Sequence, residues 1–382
     1  MKVAMFVDSF RPTVDGAIVA METAAAGLEK RGHQIVILAP DQGVRQEARW
    51  PVHYLPSREY KPYPGYRYAI SPSDMLEFLR KERPDVIHSH GIASMGILSL
   101  TAARALKIPH VLTFHTMANE AIKYYLPFRM RHDIIEGLVW IYLRNLLKRP
   151  EVVIVPSAPI RQELEANGID MKVCEVVPTG IDCTRFSPDR YDKDYLKKFG
   201  LDGKRVILHV GRLSKEKRLD IVLGALAQIS KSQPDLRLLV AGHGPAADEY
   251  KKLAKDLGIS DKVVFAGFLP DDELPAAYAS CEIMVIASTF ETQGIVVLEA
   301  LASGTPVAGI RYRAIPEFIE EGKNGCLFDE ETCAEAIQRC LLRSDSMMIN
   351  AVSSARKYSV EACTAKLEET YKLAEKTLQN SK

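Results

Sequence analysis

The chain has 382 residues, 47% hydrophobic and 26% charged, the balance of a soluble globular protein and too long for one ordinary core. A formal net charge of +1 gives no global electrostatic case for nucleic acid as a partner. Seven cysteines without a Cys-x-x-Cys pair or a metal-ligand spacing with histidine fit a reducing cytoplasm better than a disulfide framework or a zinc site.

In chain order, the apolar run that follows Met1 meets Asp8 and Arg11, which is no signal peptide. Residues 3–7, 34–39, 85–88, 110–114 and 152–155 are β-branched runs that predict buried strands of a parallel sheet. Residues 17–31 are apolar at helical spacing and closed by Gly32, which makes the first βαβ unit. The pattern then restarts with strands predicted at 205–210, 236–241, 263–266, 283–287, 306–309 and 325–328. Helices are expected between them at 217–231, 246–257, 294–302 and 331–342. Two successive series predict an α/β protein of two doubly wound, Rossmann-like domains, with the seam in 178–204. The expected division is 1–187 and 188–359, and 360–378 reads as a helix that either caps the second domain or crosses back to the first. No run reaches the roughly 18–20 apolar residues of a membrane span. The expected location is cytoplasmic, with any membrane contact peripheral.

Two segments carry the chemistry. Glu291-Thr-Gln-Gly-Ile-Val-Val-Leu-Glu299 follows a predicted strand and opens a helix at Gly294, the place where ligands bind in open α/β sheets. The first helical N–H groups, of Gly294, Ile295 and Val296, lack partners inside the helix and suit phosphate or sugar oxygens. An isolated Glu-x7-Glu arises easily by chance, but Glu299 interrupts an apolar helix face, where a carboxylate needs a partner. The second segment, Gly211-Arg-Leu-Ser-Lys-Glu-Lys217-Arg218, also joins a strand to a helix. Arg212 and Lys217 there put two cations beside a helix N-terminus, which the helix dipole disfavours and an anionic ligand would explain.

With these stand Asp8-Ser-Phe-Arg-Pro-Thr-Val-Asp-Gly16, Phe114-His115-Thr116, Pro178-Thr-Gly-Ile-Asp182, Ala241-Gly-His-Gly-Pro245, Phe265-Ala-Gly267 and Ser303-Gly-Thr-Pro306. Their order over residues 1–330 resembles glycosyltransferase family 4, a large retaining family of the GT-B fold, in which two Rossmann-like domains face a cleft. The resemblance implies that the last helix, 360–382, crosses back to the first domain. It assigns the donor's diphosphate to Arg212 and Lys217, the ribose hydroxyls to Glu299, and the sugar hydroxyls to Glu291 with the backbone of Gln293, Gly294, Ile295 and Val296. Phe268 and Leu269 would line the base pocket. Gly16, with Asp15 before it, would bring first-domain amides to the phosphates. His115 would lie near the anomeric centre, so His115, Glu291, Arg212 and Lys217 are the expected catalytic set. His88 and His90 end a neighbouring strand and rank below it.

Gln293, Asp8-Ser-Phe-Arg-Pro and Phe114-His-Thr-Met…Tyr124-Tyr125 resemble, more narrowly, enzymes that glycosylate diacylglycerol or phosphatidylinositol. The expected partners are a UDP- or GDP-sugar and a hydroxyl acceptor, either a membrane glycerolipid or a soluble sugar or metabolite. A sugar-nucleotide epimerase of the same architecture is the remaining alternative. Residues 123–149 and 45–68 interleave Lys and Arg with aromatics, a composition that suits an anionic bilayer surface, although 134–147 is also apolar enough for a core helix. Asp192-Lys-Asp194 matches the Asp-x-Asp that holds a metal in other glycosyltransferases but sits in the charged linker. No metal and no cofactor are expected, because two cations and helix-terminal amides can neutralise the leaving diphosphate. Retention is expected by front-face attack, the leaving phosphate taking the acceptor's proton.

Overall fold

The computed structural model describes residues 1–11, 16–44, 47–59, 67–115 and 132–380. The chain forms two compact units, Met1–Gly180 with Val360–Lys382, and Ile181–Ser359. The sequence suggested a division after 187. It falls at 180/181 because Ile181 and Phe186 are buried in the second core, and Ile181 N–H donates to Tyr358 O at 2.8 Å.

In the first unit come β1 (Lys2–Phe6), α1 (Gly16–Lys30), β2 (Gln34–Pro40), β3 (Val52–Leu55) and the short hairpin β4 (Ser57–Glu59) and β5 (Arg67–Ala69). Then follow α2 (Pro72–Glu82), β6 (Val86–Ser89), α3 (Ser94–Leu106), β7 (His110–Thr113), α4 (His132–Leu147), β8 (Val152–Val155), α5 (Ala158–Ala166) and β9 (Cys174–Val176). The parallel sheet runs β3-β2-β1-β6-β7-β8-β9, so the order reverses beside β1. Apolar layers cover both faces, which is why β6, β7 and β8 are buried at every residue. Met75, Leu79, Met95 and Leu98 pack on one face; Met21 and Leu28 of α1 pack on the other with Leu367, Tyr371 and Ala374 of the last helix.

The second unit contains β10 (Arg205–Val210), α6 (Leu219–Ile229), β11 (Leu236–Ala241), α7 (Ala247–Asp256), β12 (Val263–Gly267), α8 (Leu274–Ala279) and β13 (Ile283–Ile286). It continues with α9 (Ile295–Ala302), β14 (Val307–Ile310), α10 (Ile315–Phe318), β15 (Gly325–Phe328), α11 (Cys333–Leu341) and α12 (Ser344–Arg356). Its parallel sheet runs β12-β11-β10-β13-β14-β15, and the order reverses between β10 and β13.

The last helix, α13 (Val360–Asn380), belongs to the first unit. A Cβ on Gly27 of α1 would stand 2.1 Å from Thr364 Oγ1, so glycine is what lets α1 and α13 approach. Glu368 of α13 accepts from Arg31 at 2.6 Å and lies 2.6 Å from His33 Nε2.

One predicted element is corrected. The expected helix 217–231 is a 3₁₀ turn, Lys215–Lys217, then Arg218 in the left-handed region (φ 48°), then α6 from Leu219. Lys217 is thus held in a turn rather than on a helix.

Candidate active site

The order reversal between β10 and β13 sets the loop Gly211–Arg218 beside the loop Ser288–Gly294. Thr289 fastens them: its N–H and its hydroxyl both donate to Glu216 O, at 2.9 and 3.2 Å. Glu216 is itself buried and accepts from Ser214 Oγ at 2.6 Å. Lys217, one residue on, then reaches Glu291, Nζ to Oε1 2.5 Å, with both side chains largely enclosed. A cation and a carboxylate therefore share one spot at the ligand edge of the sheet. Arg212 is exposed on the same loop. Arg218, by contrast, is already bound to Asp220 and to both oxygens of Glu330, at 2.7 and 3.0 Å to the latter.

Gly294 caps α9 in the left-handed region (φ 79°), a conformation that costs a residue with a Cβ. No side chain caps this helix start, so the leading amides of Ile295 and Val296 are the natural seat for an anion. Gln293, just before, is buried. Glu299 on the second turn is partly buried, and the fully buried Tyr278 of α8 donates its hydroxyl to Glu299 Oε2 at 2.8 Å. Burial raises the Glu299 pKa, opposed by the Tyr278 hydroxyl and the Arg185 guanidinium. The partner that a carboxylate on an apolar helix face requires is this tyrosine. The sequence signalled the need for a partner but not its identity.

After β12, Phe268 is 68% exposed and Leu269 is buried. The neighbouring Gly242-His-Gly244 turn is explained by packing. A Cβ at Gly242 would stand 1.8 Å from Gly211 O, and one at Gly244 2.2 Å from Leu213 O.

In the first unit, the order reversal puts the loops after β1 and β6 together. Asp8 accepts from the amides of Ala93 and Met95, at 2.8 and 2.9 Å, at the start of α3. Gly91 has no room for a side chain, since its Cβ would meet Asp8 Oδ2 at 2.3 Å. Gly16 opens α1 in open space, so packing does not require glycine there. His115 follows β7, and its Nε2 lies 2.9 Å from His90 Nδ1. His88, His90, Thr113 and His115 line a cavity of about 40 Å³ closed by α1 and α13. The sequence ranked His90 low because nothing in a one-dimensional pattern reveals ring contact across two strands.

Asp15, Thr116 and the basic–aromatic residues Arg45, Tyr60, Lys61, Tyr63, Tyr66, Lys123, Tyr124, Tyr125, Phe128, Arg129 and Arg131 lie outside the described residues. Elsewhere in the 45–68 stretch Arg58 and Tyr68 are exposed, and other side chains are used internally. Trp50 is buried, Arg49 pairs with Glu29 at 2.5 Å, and Arg67 donates to Ser57. Helix α4 is different, being neither a plain core helix nor a polar one. Trp140, Leu143, Leu146 and Leu147 face the core, whereas Ile134, Leu138 and Ile141 form an exposed stripe at helical spacing. Asp192 accepts from the Asp194 amide in a local turn, and Asp194 pairs with Lys197 at 2.6 Å. No described helix is long and apolar enough to cross a membrane.

Residues 14–185 match the family model for Glycosyltransferase Family 4, and residues 192–357 that for Glycosyl transferases group 1. An alpha-monoglucosyldiacylglycerol synthase of Streptococcus pneumoniae is 31% identical over 371 residues, spanning 95% of this chain and 83% of that protein. The chain belongs to glycosyltransferase family 4. A GDP-mannose-dependent alpha-mannosyltransferase of Mycolicibacterium smegmatis is 28% identical to this transferase over 384 residues, 97% of this chain and 94% of that one. In fold the transferase is similar to Anabaena HepE, solved in complex with UDP, with a TM-score of 0.78 at 20% identity, covering 97% of this chain and 99% of HepE. The two parallel-sheet units of the transferase are thus the two Rossmann-like domains of a GT-B glycosyltransferase.

Proposed function

We propose that this transferase moves a hexose from a UDP- or GDP-sugar to the hydroxyl of a membrane glycerolipid, with retention of anomeric configuration and without a metal ion. The observation that carries the donor half is the Lys217–Glu291 pair beside the uncapped start of α9. Lys217 and Arg212 take the diphosphate with the leading amides of Ile295 and Val296. Glu291 takes sugar hydroxyls while still holding Lys217, and Gln293 and Gly294 shape the same turn. Glu299 takes the ribose hydroxyls, with Phe268 and Leu269 beside the base. Gly16 and Asp15 bring first-unit backbone to the phosphates, and His115 lies at the donor sugar.

In the reaction, the bond between the anomeric carbon and the phosphate oxygen breaks through an oxocarbenium-like state, and its electron pair leaves with the diphosphate. The cations and amides that receive this charge are in place before the bond breaks, which lowers the barrier without reorganisation. The acceptor oxygen bonds to the same face of the sugar, and its proton passes to the departing phosphate oxygen. A double displacement would need a carboxylate on the far face of the sugar. Glu291 and Glu299 are committed to Lys217 and Tyr278, which favours the front-face route.

The acceptor half rests on the exposed Ile134, Leu138 and Ile141 stripe, with exposed Arg144, Lys148 and Arg149 at the C-terminal end of α4, an arrangement suited to an anionic bilayer surface. The pneumococcal relative, an alpha-monoglucosyldiacylglycerol synthase, agrees with it. The test offers UDP-glucose and GDP-mannose, each with diacylglycerol in anionic vesicles and with glycerol in solution, and examines products by proton NMR. An α-linked glycolipid is expected. A β-linked product would refute retention, transfer to glycerol alone would refute the lipid acceptor, and loss of turnover in a chelator would refute metal independence.

A further inference from the structure

Three histidines stand along the ligand edge of the first unit. His88 is fully engaged: its Nδ1 lies 2.8 Å from the Tyr371 hydroxyl of α13 and its Nε2 2.6 Å from the Thr113 hydroxyl. Hydroxyls both donate and accept, so either tautomer of His88 is satisfied, and its ring forms a fixed wall 4.1 Å from the His90 ring. His90 is buried, and its ring lies nearly parallel to that of His115, at 13°. One proton fits between His90 Nδ1 and His115 Nε2, so one ring donates and the other accepts. Were His115 the donor, the proton of neutral His90 would sit on Nε2, a buried N–H with no partner among the described residues. Buried, unpaired N–H groups are rarer in folded proteins than under-satisfied acceptors. The reverse arrangement leaves only a bare acceptor at that position. Burial, then the neighbouring imidazoles, hold His88 and His90 well below the ordinary histidine pKa, so both are neutral.

We propose that His90 is a positioning residue that fixes the tautomer of His115: His90 donates its Nδ1–H to His115 Nε2 and thereby places the proton of neutral His115 on Nδ1. His115 then carries its proton at Nδ1 and presents no basic nitrogen, because its Nε2 accepts from His90. It stabilises developing charge but does not remove the acceptor's proton, which leaves that proton to the departing phosphate. This consequence rests on the placement of His115 at the donor sugar; the tautomer itself does not.

Long-range ¹H–¹⁵N correlation spectra of histidine-labelled protein at mildly alkaline pH read the tautomer directly, with His115→Ala and His90→Asn spectra giving the assignments. His115 is expected as the Nδ1–H form in the wild type and in His90→Asn, where the amide nitrogen replaces the donor. His90→Asp, which only accepts, is expected to switch His115 to the Nε2–H form. Finding Nε2–H in the wild type, or no switch in His90→Asp, overturns the proposal. In kinetics, His90→Leu is expected to lower kcat about 100-fold at unchanged donor KM and unchanged melting temperature, with His90→Asn recovering most of the loss. An unchanged kcat in His90→Leu overturns the positioning role. If His115→Ala keeps full turnover while the spectra hold, the site assignment fails and the tautomer assignment stands.

Discussion

Tyr278 and Glu299 form a unit in which one hydroxyl makes a carboxylate on an apolar helix tolerable. Removing that hydroxyl strands a partly buried acceptor. Tyr278→Phe is expected to lower stability by about 1–3 kcal/mol in urea unfolding, whereas Glu299→Gln, which can still accept from Tyr278, costs less. The same pair separates structure from donor binding: Glu299→Gln is expected to weaken nucleotide binding by calorimetry while leaving unfolding nearly unchanged. Lys217 and Glu291 call for a double-mutant cycle. Lys217→Met removes the cation proposed for phosphate and leaves Glu291 enclosed without this partner. Glu291→Gln keeps a hydroxyl acceptor and frees Lys217. Donor binding is expected to fall more in the first, and the two losses to be non-additive because the groups touch. Additive losses would mean that the pair does not act as one unit.

At the scale of elements, the turn before α9 and the contact between α1 and α13 are each set by one glycine. Gly294→Ala forces a Cβ into φ 79°, at a cost of about 1–2 kcal/mol, and tilts the amides that start the helix. A thermal shift of the apo protein and a weaker response to UDP would report the two effects separately. Glu368 of α13 is held at about pH 2, first by Arg31 and also by His33, against an ordinary value of 4.5. The folded state therefore binds fewer protons than the unfolded one. The stability from this carboxylate is complete above about pH 4.5 and disappears as pH falls toward 2. Glu368→Gln is expected to lower the melting temperature at neutral pH and to match the wild type near pH 2. The strand runs and both ligand-edge turns were legible in the sequence because buried parallel strands are uninterrupted β-branched stretches. Elements such as β3, β4, β5 and α12 were not, being short or mixed in composition. The break at Arg218 was invisible because arginine carries no signal for a left-handed backbone. Tyr278 was missed and His90 ranked low for a different reason: each meets its partner only once the fold is closed.

For the whole molecule, the feature that matters most is that the chain's last helix completes its first unit. Leu367, Tyr371 and Ala374 are part of that unit's core, and Tyr371 also reaches His88. A chain ending at Ser359 is expected to lose protection from hydrogen exchange throughout residues 1–180 while residues 181–359 keep theirs. The two ends of the second unit meet: Ile181 and Ser359 form a parallel β-bridge, so that unit is closed before Val360 begins. This reverses the usual order of events during synthesis, in which the N-terminal domain folds first as it leaves the ribosome. Residues 181–359 can emerge and fold as a unit while the earlier-made half still lacks a wall of its core. The first half of the polypeptide waits, with α1 uncovered, until Val360–Asn380 has been translated and has cleared the exit tunnel.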